Sequence, residues 1–308
     1  MCYSAMVESD LRNFWRQYQG VLSYATVQEI FQKRLTDGSI RIPKAFEANF
    51  DSPTSPNDTE IKRLIDQYRA AALTKLEIEL FAQKKRHADA ERALKSKVTK
   101  KAQEDLRISG NKIETALDRI NGIKRPELRP TDSRIFPFWY APILIHENGQ
   151  NVVKLARYHL RQPRQPESVD RKYPGLYNAR RDNIEKFWRN EFGVSHAIMI
   201  VDSFYENVER DGKNAVLHFV PKPAEPMLVA CLYGVWNAGK EDELLSFAAI
   251  TDEPPPEVAA AGHDRCIINL KPENVEKWLT PQGRSSAELQ AILEDKQRPY
   301  YEHKLLAA

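Results

Sequence analysis

From Thr59 to Ile108 the chain carries no glycine and no proline and is rich in Ala, Lys, Glu, Gln and Arg. Its apolar residues Ile61, Leu64, Ile65, Tyr68, Ala72, Leu76 and Leu80 recur at spacings of three and four, the pattern of a helix that buries one face. Past Lys84 the stripe thins to Ala88, Leu94 and Val98 while lysines accumulate. Ser109-Gly110-Asn111 then interrupts it, and Ile113, Leu117 and Ile120 begin a shorter helix that Pro126 and Pro130 end. A long helical hairpin standing partly clear of the rest is the expectation. After Pro126 the texture changes to short apolar runs, at Phe136 to Ile145, Val152 to Tyr158, His196 to Phe204, Ala215 to Val220, Met227 to Trp236, Leu244 to Ile250 and Cys266 to Leu270. Turns such as Glu147-Asn148-Gly149 and Asp211-Gly212 punctuate them, which is the cadence of an antiparallel barrel or sandwich. The fold class is therefore α+β: a mostly antiparallel, β-barrel-like core with peripheral helices and an inserted basic hairpin. The corresponding division is residues 1–58, the hairpin at 59–125, and the main part with a helical tail at 126–308.

Toward the N-terminus, Leu11, Phe14, Trp15, Tyr18 and Leu22 also follow a helical period, so one helix is expected from Tyr3 to about Ala25 and a second from Thr26 to Leu35. Ile40 to Phe50 reads as extended, and Ser52 to Asp58 as a loop ending in capping residues for the long helix. Arg181 to Glu191 and Pro272 to Leu279 read as short helices between strands, and a last helix after Ser285 leads to a tyrosine-rich end.

With 308 residues, 42% of them apolar and 29% charged, the chain can bury a substantial core. Cys2, Cys231 and Cys266 are odd in number and far apart, which argues against a disulfide framework or a structural zinc site. Cys231 and Cys266 begin or lie in apolar strands and read as buried and inert. The histidines show no ligand spacing, so neither metal nor cofactor is expected. No stretch resembles a signal peptide or the roughly 18 apolar residues of a spanning helix, so a cytoplasmic, nucleoid-associated protein without a membrane partner is expected. The net charge is only +3, but residues 60–125 hold 17 Lys and Arg against 10 Asp and Glu. Aromatic residues are not interleaved with these cations, so the segment offers phosphate attraction rather than base stacking.

The chemistry begins at Met1-Cys2. Methionine aminopeptidases remove an initiator that precedes a small side chain, which leaves Cys2 with two nucleophiles on one residue. Its α-amine has a reference pKa of roughly 7.7 to 8.0 and its thiol one of about 8.5, so both are partly reactive at neutral pH. A 1,2-aminothiol traps aldehydes: the amine forms an imine, the thiol closes on the imine carbon, and a thiazolidine results. A second-position cysteine alone identifies nothing, and its meaning comes from later stretches.

Those stretches are Asn178-Ala179-Arg180, Phe204-Tyr205-Glu206, Leu232 to Trp236, Ser246-Phe247 with Ile250-Thr251, and His263-Asp264-Arg265. Together with Met1-Cys2, their order resembles that of the SOS response-associated peptidase (SRAP) family, whose best described members process abasic sites and crosslink to DNA through an N-terminal cysteine. The resemblance covers roughly residues 2–50 and 130–280 and leaves the basic hairpin as an insertion. Departures are plain: Tyr3-Ser4 stand where the family has Gly-Arg, Asn207 where it has Trp, and Arg157-Tyr158-His159-Leu160 is a drifted form of its Arg-Trp-Gly-Leu.

The resemblance implies an abasic-site sensor for single-stranded DNA, acting as a monomer, with lyase-like and peptidase-like activity, the latter limited to removing Met1. Glu206 then serves as acid and base in turn during imine formation and ring closure. His263 shuttles the proton that opens the sugar to its free aldehyde. Asn178 holds the terminal backbone or the sugar by neutral hydrogen bonds. Arg180 and Arg157 contact DNA, Arg180 through a forked phosphate bond, and Tyr158 offers a base an aromatic surface. Two other classes fit parts of the pattern. An N-terminal-nucleophile amidohydrolase also begins with cysteine, but the Asn178, Glu206 and His263 stretches do not fit it. A non-catalytic module would bind DNA through the hairpin alone.

Overall fold

A computed structural model describes residues 3–210 and 212–306, apart from the Trp15 side chain; Cys2, the residue the expected chemistry turns on, lies outside the described residues. The chain opens with strand β1 (Ser4–Val7), helix α1 (Leu11–Tyr18), β2 (Val21–Leu22), α2 (Tyr24–Thr36) and α3 (Lys44–Glu47). Two long helices follow, α4 (Pro56–Ser96) and α5 (Lys100–Lys124). Then come β3 (Arg134–Ile135), β4 (Tyr140–Glu147), β5 (Gln150–Tyr158), α6 (Val169–Lys172), β6 (Asn178–Arg180), β7 (His196–Arg210), β8 (Lys213–Lys222), β9 (Met227–Trp236) and β10 (Leu244–Asp252). The chain finishes with α7 (Pro256–Ala260), β11 (Cys266–Ile267), α8 (Val275–Leu279), α9 (Ser286–Glu294) and β12 (Tyr300–Leu305).

The twelve strands join in one mixed, predominantly antiparallel sheet, giving the α+β class expected. Period-two alternation explains how it buries both faces. Ala141, Ile143 and Ile145 of β4, Ala197, Met199 and Val201 of β7 and Phe247 and Ala249 of β10 point to one apolar cluster. Their neighbours Leu144, Ile198, Ile200, Ala248 and Ile250 point to a second, closed by Phe14, Trp188 and Trp278. A third cluster gathers Val27, Ile30 and Phe31 of α2, Phe46 and Phe50, and Ile61, Leu64 and Ile65 of α4 against Tyr140 and Leu155. Between those helices Glu47 is buried and forms ion pairs with the buried Arg34 and with Arg69, while the Arg34 guanidinium lies 3.7 Å from the Tyr68 ring centroid. Burial of a charge is tolerated there because it is paired and hydrogen-bonded.

Several local expectations are corrected. Ser4 to Val7 is a strand rather than the start of a helix, since it pairs antiparallel with both β3 and β7. Residues 44–50 are helical rather than extended; Phe46 and Phe50 face one cluster at a helical spacing, and Asn49 bonds to the Ser9 carbonyl and accepts from the Leu11 N–H. Arg181 to Asn183 is a single 3-10 turn, not the start of a regular helix. The hairpin turns at Lys97 to Thr99, where the Thr99 side chain caps α5 by accepting from the Ala102 N–H, and Ser109-Gly110-Asn111 lies inside α5. Ser109 returns its hydroxyl to the Asp105 carbonyl and meets His87 of α4 at 3.0 Å. A Cβ at Gly110 would meet the His87 ring at 3.6 Å, an ordinary contact, so nothing at this position requires glycine. No helix among the described residues is long and apolar enough to cross a membrane.

Candidate functional site

Strand β1 runs antiparallel to β7 with Ser4 opposite Tyr205 and Ala5 opposite Phe204, and the Tyr3 N–H donates to the Tyr205 carbonyl at 3.2 Å. The residue that follows Cys2 in the chain is thereby anchored to the strand that carries Glu206. Glu206 itself is opposite Leu217 of β8 and is fully buried.

His263 arrives from the loop between α7 and β11. Gly262 makes the turn with φ +97°, a backbone conformation that side chains with a Cβ rarely adopt, while the His263 N–H donates to the Val258 carbonyl at 3.2 Å. The imidazole Nε2 stands 3.2 Å from Oε2 of Glu206, and Nδ1 lies 2.8 Å from the Arg265 carbonyl. Burial raises Glu206 to a pKa of about 8, although a hydrogen bond from the Tyr3 backbone pulls the other way. Burial also lowers His263 to about 4. Both groups are accordingly neutral at pH 7. Nδ1 lies nearer the Arg265 carbonyl, at 2.8 Å, than the Arg265 N–H, at 3.3 Å; with Nδ1–H donating to that carbonyl, the Nε2 lone pair faces the protonated carboxyl. A carboxylic acid held protonated near neutrality beside a neutral imidazole can give and take protons on demand.

The other expected site residues divide. Asn178 is buried at the start of β6, in parallel register with Ala249 of β10, and β10 pairs at its far end with β11, just after His263. Arg180 is half-exposed and forks onto Asp182 at 3.1 and 2.6 Å, and Arg265 reaches the same carboxylate at 3.1 Å. Arg157 pairs with the Asp170 carboxylate, which Arg161 also holds. Tyr158 is fully buried, its ring 5.2 Å from Phe247 and 5.5 Å from Tyr177, so it presents no face on which a base could stack. The expectation for Tyr158 is corrected: the same apolar flanks that mark the strand carry its ring into the core. Cys231 and Cys266 are buried, and burial drives both thiols far up in pKa.

One neighbour of the site was not legible in the sequence. Nε and Nη2 of Arg134 both donate to Oγ of Ser4, at 3.0 and 2.8 Å, and its guanidinium lies 3.6 Å from the Tyr205 ring centroid. A lone arginine before an apolar pair carries no signal, because Ser4 and Tyr205 come from distant segments.

The sequence profile of the SOS response associated peptidase (SRAP) family matches residues 91–305. The abasic site processing protein YoaM of Bacillus subtilis is 29% identical over 121 residues, which are 38% of this chain and 53% of that protein. The chain thus spans about half the length of that relative. Among solved structures, a Bacteroides thetaiotaomicron protein has a TM-score of 0.48 at 19% identity over 56% of this chain and 77% of its own. A Bordetella bronchiseptica protein has a TM-score of 0.48 at 17% identity over 57% and 88% respectively. With a profile match over well beyond half of its residues, the chain belongs to the SOS response associated peptidase (SRAP) family.

Proposed function

We propose that the protein recognises an abasic site in single-stranded DNA and, once Met1 has been removed, joins Cys2 to the ring-opened deoxyribose as a thiazolidine. The observation that carries this reading is the anchoring of Tyr3 on β7 next to the fully buried Glu206, whose Oε2 lies 3.2 Å from Nε2 of His263. Family membership and the printed name of the Bacillus relative support the choice of substrate.

In this reading His263 takes the hydroxyl proton of the cyclic hemiacetal while Glu206 protonates the ring oxygen, so that the ring C–O bond breaks and the aldehyde forms. The proton passes back from His263 to Glu206. The Cys2 amine adds to the aldehyde carbon, a proton moves from the nitrogen to the new alkoxide to give the carbinolamine, Glu206 protonates its hydroxyl, and water leaves to give an iminium ion. Glu206, now a carboxylate, takes the thiol proton, and the sulfur closes on the iminium carbon. One water is released and Glu206 regains its acid form. Asn178 and Arg180 contribute hydrogen bonds to the strand or the sugar, Arg157 contacts it at the periphery, and the α4–α5 hairpin is an insertion that extends the basic surface. Since each step is reversible, slow release from the strand accompanies capture.

A denaturing gel tests the reading. An abasic oligonucleotide is expected to give a slowly migrating protein band, and the same oligonucleotide with its sugar reduced to the alcohol none. A band of equal strength from the reduced strand would sink the proposal.

A further inference from the structure

Ser4, Tyr205, His218 and Lys304 form one row across β1, β7, β8 and β12, each directly opposite the next in register. Three strand spacings make that row about 14 Å long. At one end Arg134 of β3 leans onto the row: its guanidinium carbon lies 3.6 Å from the Tyr205 ring centroid and it donates twice to Ser4, and the Tyr205 ring stacks on the His218 ring at 4.3 Å with planes 10° apart. At the other end Lys304 is exposed. His218 is fixed as a neutral spacer by its 2.7 Å contact to the Ser203 hydroxyl, and burial lowers it to about 4.

The surroundings of this row are unusual in charge. Elsewhere the arginines near the site are matched: Arg157 and Arg161 by Asp170, Arg180 and Arg265 by Asp182, Arg181 by Asp252. The groups acting on Arg134 are instead the phenols of Tyr205 and Tyr3, and those acting on His218 are Lys304 and Arg134 itself. Among the described residues no carboxylate joins them. A half-buried guanidinium pre-set by stacking and by a hydroxyl, with no anion of its own, is arranged to receive one. The span to Lys304 exceeds the separation of adjacent phosphates and suits two phosphates with another between them, and Tyr3, at the row's Arg134 end, is anchored beside Glu206.

We propose that Arg134 and Lys304 hold two phosphates, with one more between them, of the DNA strand whose abasic sugar is delivered to Glu206, with the buried Tyr205 ring and His218 as stacked support beneath the path. This rests on the function proposed above and adds to it a path for the strand across the sheet.

The test is the salt dependence of binding. Fluorescence anisotropy with the full chain and a single-stranded oligonucleotide, between about 50 and 200 mM salt, compares wild type with R134Q, R134K, K304Q and K240Q, the last a charge control in the β9–β10 turn. R134Q and K304Q are each expected to weaken binding about five- to tenfold at low salt and to reduce the slope of log K against log salt by about 0.7; R134K and K240Q should keep the wild-type slope. Unchanged slopes in both glutamine variants would overturn the inference. So would an R134Q protein that melts earlier yet keeps its slope, since that is the behaviour of a packing residue. Should R134Q fail to fold, the exposed Lys304 decides by itself. Incubating wild type with a phosphate-free aldehyde and weighing the product reports the thiazolidine chemistry separately: no mass gain there sinks the function proposed above, while the salt slopes still judge the phosphate path.

Discussion

Glu206 and His263, which are far apart in the sequence, meet at 3.2 Å through Oε2 and Nε2, and burial leaves both without charge at neutral pH. An acid and a base thus coexist without forming an ion pair, and the site keeps a transferable proton where the chain is about to reach its N-terminal residue.

The pair gives the protein a pH signature. Glu206 has a raised folded pKa of about 8, so its contribution to stability is complete below the unfolded value near 4.5 and is lost as pH rises toward 8. His263 has a lowered folded pKa of about 4, so its contribution changes in the opposite sense, rising between about 4 and 6.5 and flat above. Between pH 6.5 and 8 only Glu206 acts. In that window the melting temperature of wild type should fall relative to Glu206→Gln, which cannot titrate. Parallel curves would mean that Glu206 is already ionised. The same substitution should slow adduct formation about 10²- to 10³-fold with DNA binding retained.

Replacing His263 should separate sugar opening from capture. His263→Gln is expected to slow adduct formation with abasic DNA about 10²-fold, while the rate with an acyclic aldehyde, which needs no ring opening, falls far less. Stopped-flow or quenched time courses with both substrates measure this. An equal loss on both would assign His263 to the imine steps instead.

Tyr158 belongs to the core and not to a DNA surface, which stability can distinguish. Enclosed by Phe247 and Tyr177, it should behave as a core residue: Tyr158→Ala should cost about 3 to 5 kcal/mol in chemical denaturation. A variant of unchanged stability with weakened DNA binding would restore it as a stacking platform.

The strands were legible because their apolar runs are short and bounded by turns, and β4, β7, β9 and β10 lie where those runs are. The long helices were legible in kind but not in where they turn. Gly110 looks like a breaker, yet it lies within α5, and the real turn is set by Thr99 as a cap. At the N-terminus, Leu11, Phe14 and Tyr18 do form a helix, but their period was extended back over Ser4 to Val7, whose strand character depends on partners in β3 and β7. Glu206 and His263 were reached through motif resemblance, since no spacing in the chain announces that β7 and the loop after α7 converge. Arg134 carried no local signal at all, because what distinguishes it is that, among the described residues, it meets Ser4 and Tyr205 and no carboxylate.

The most direct test is intact-mass spectrometry of the protein before and after incubation with an abasic single-stranded oligonucleotide, for wild type and Cys2→Ala. The wild-type chain should start at Cys2 and gain the mass of the oligonucleotide less one water, and the Cys2→Ala chain should bind the strand but gain nothing covalent. An adduct of that mass on Cys2→Ala, or none on wild type whose Met1 has been removed, would contradict the proposed crosslink through Cys2.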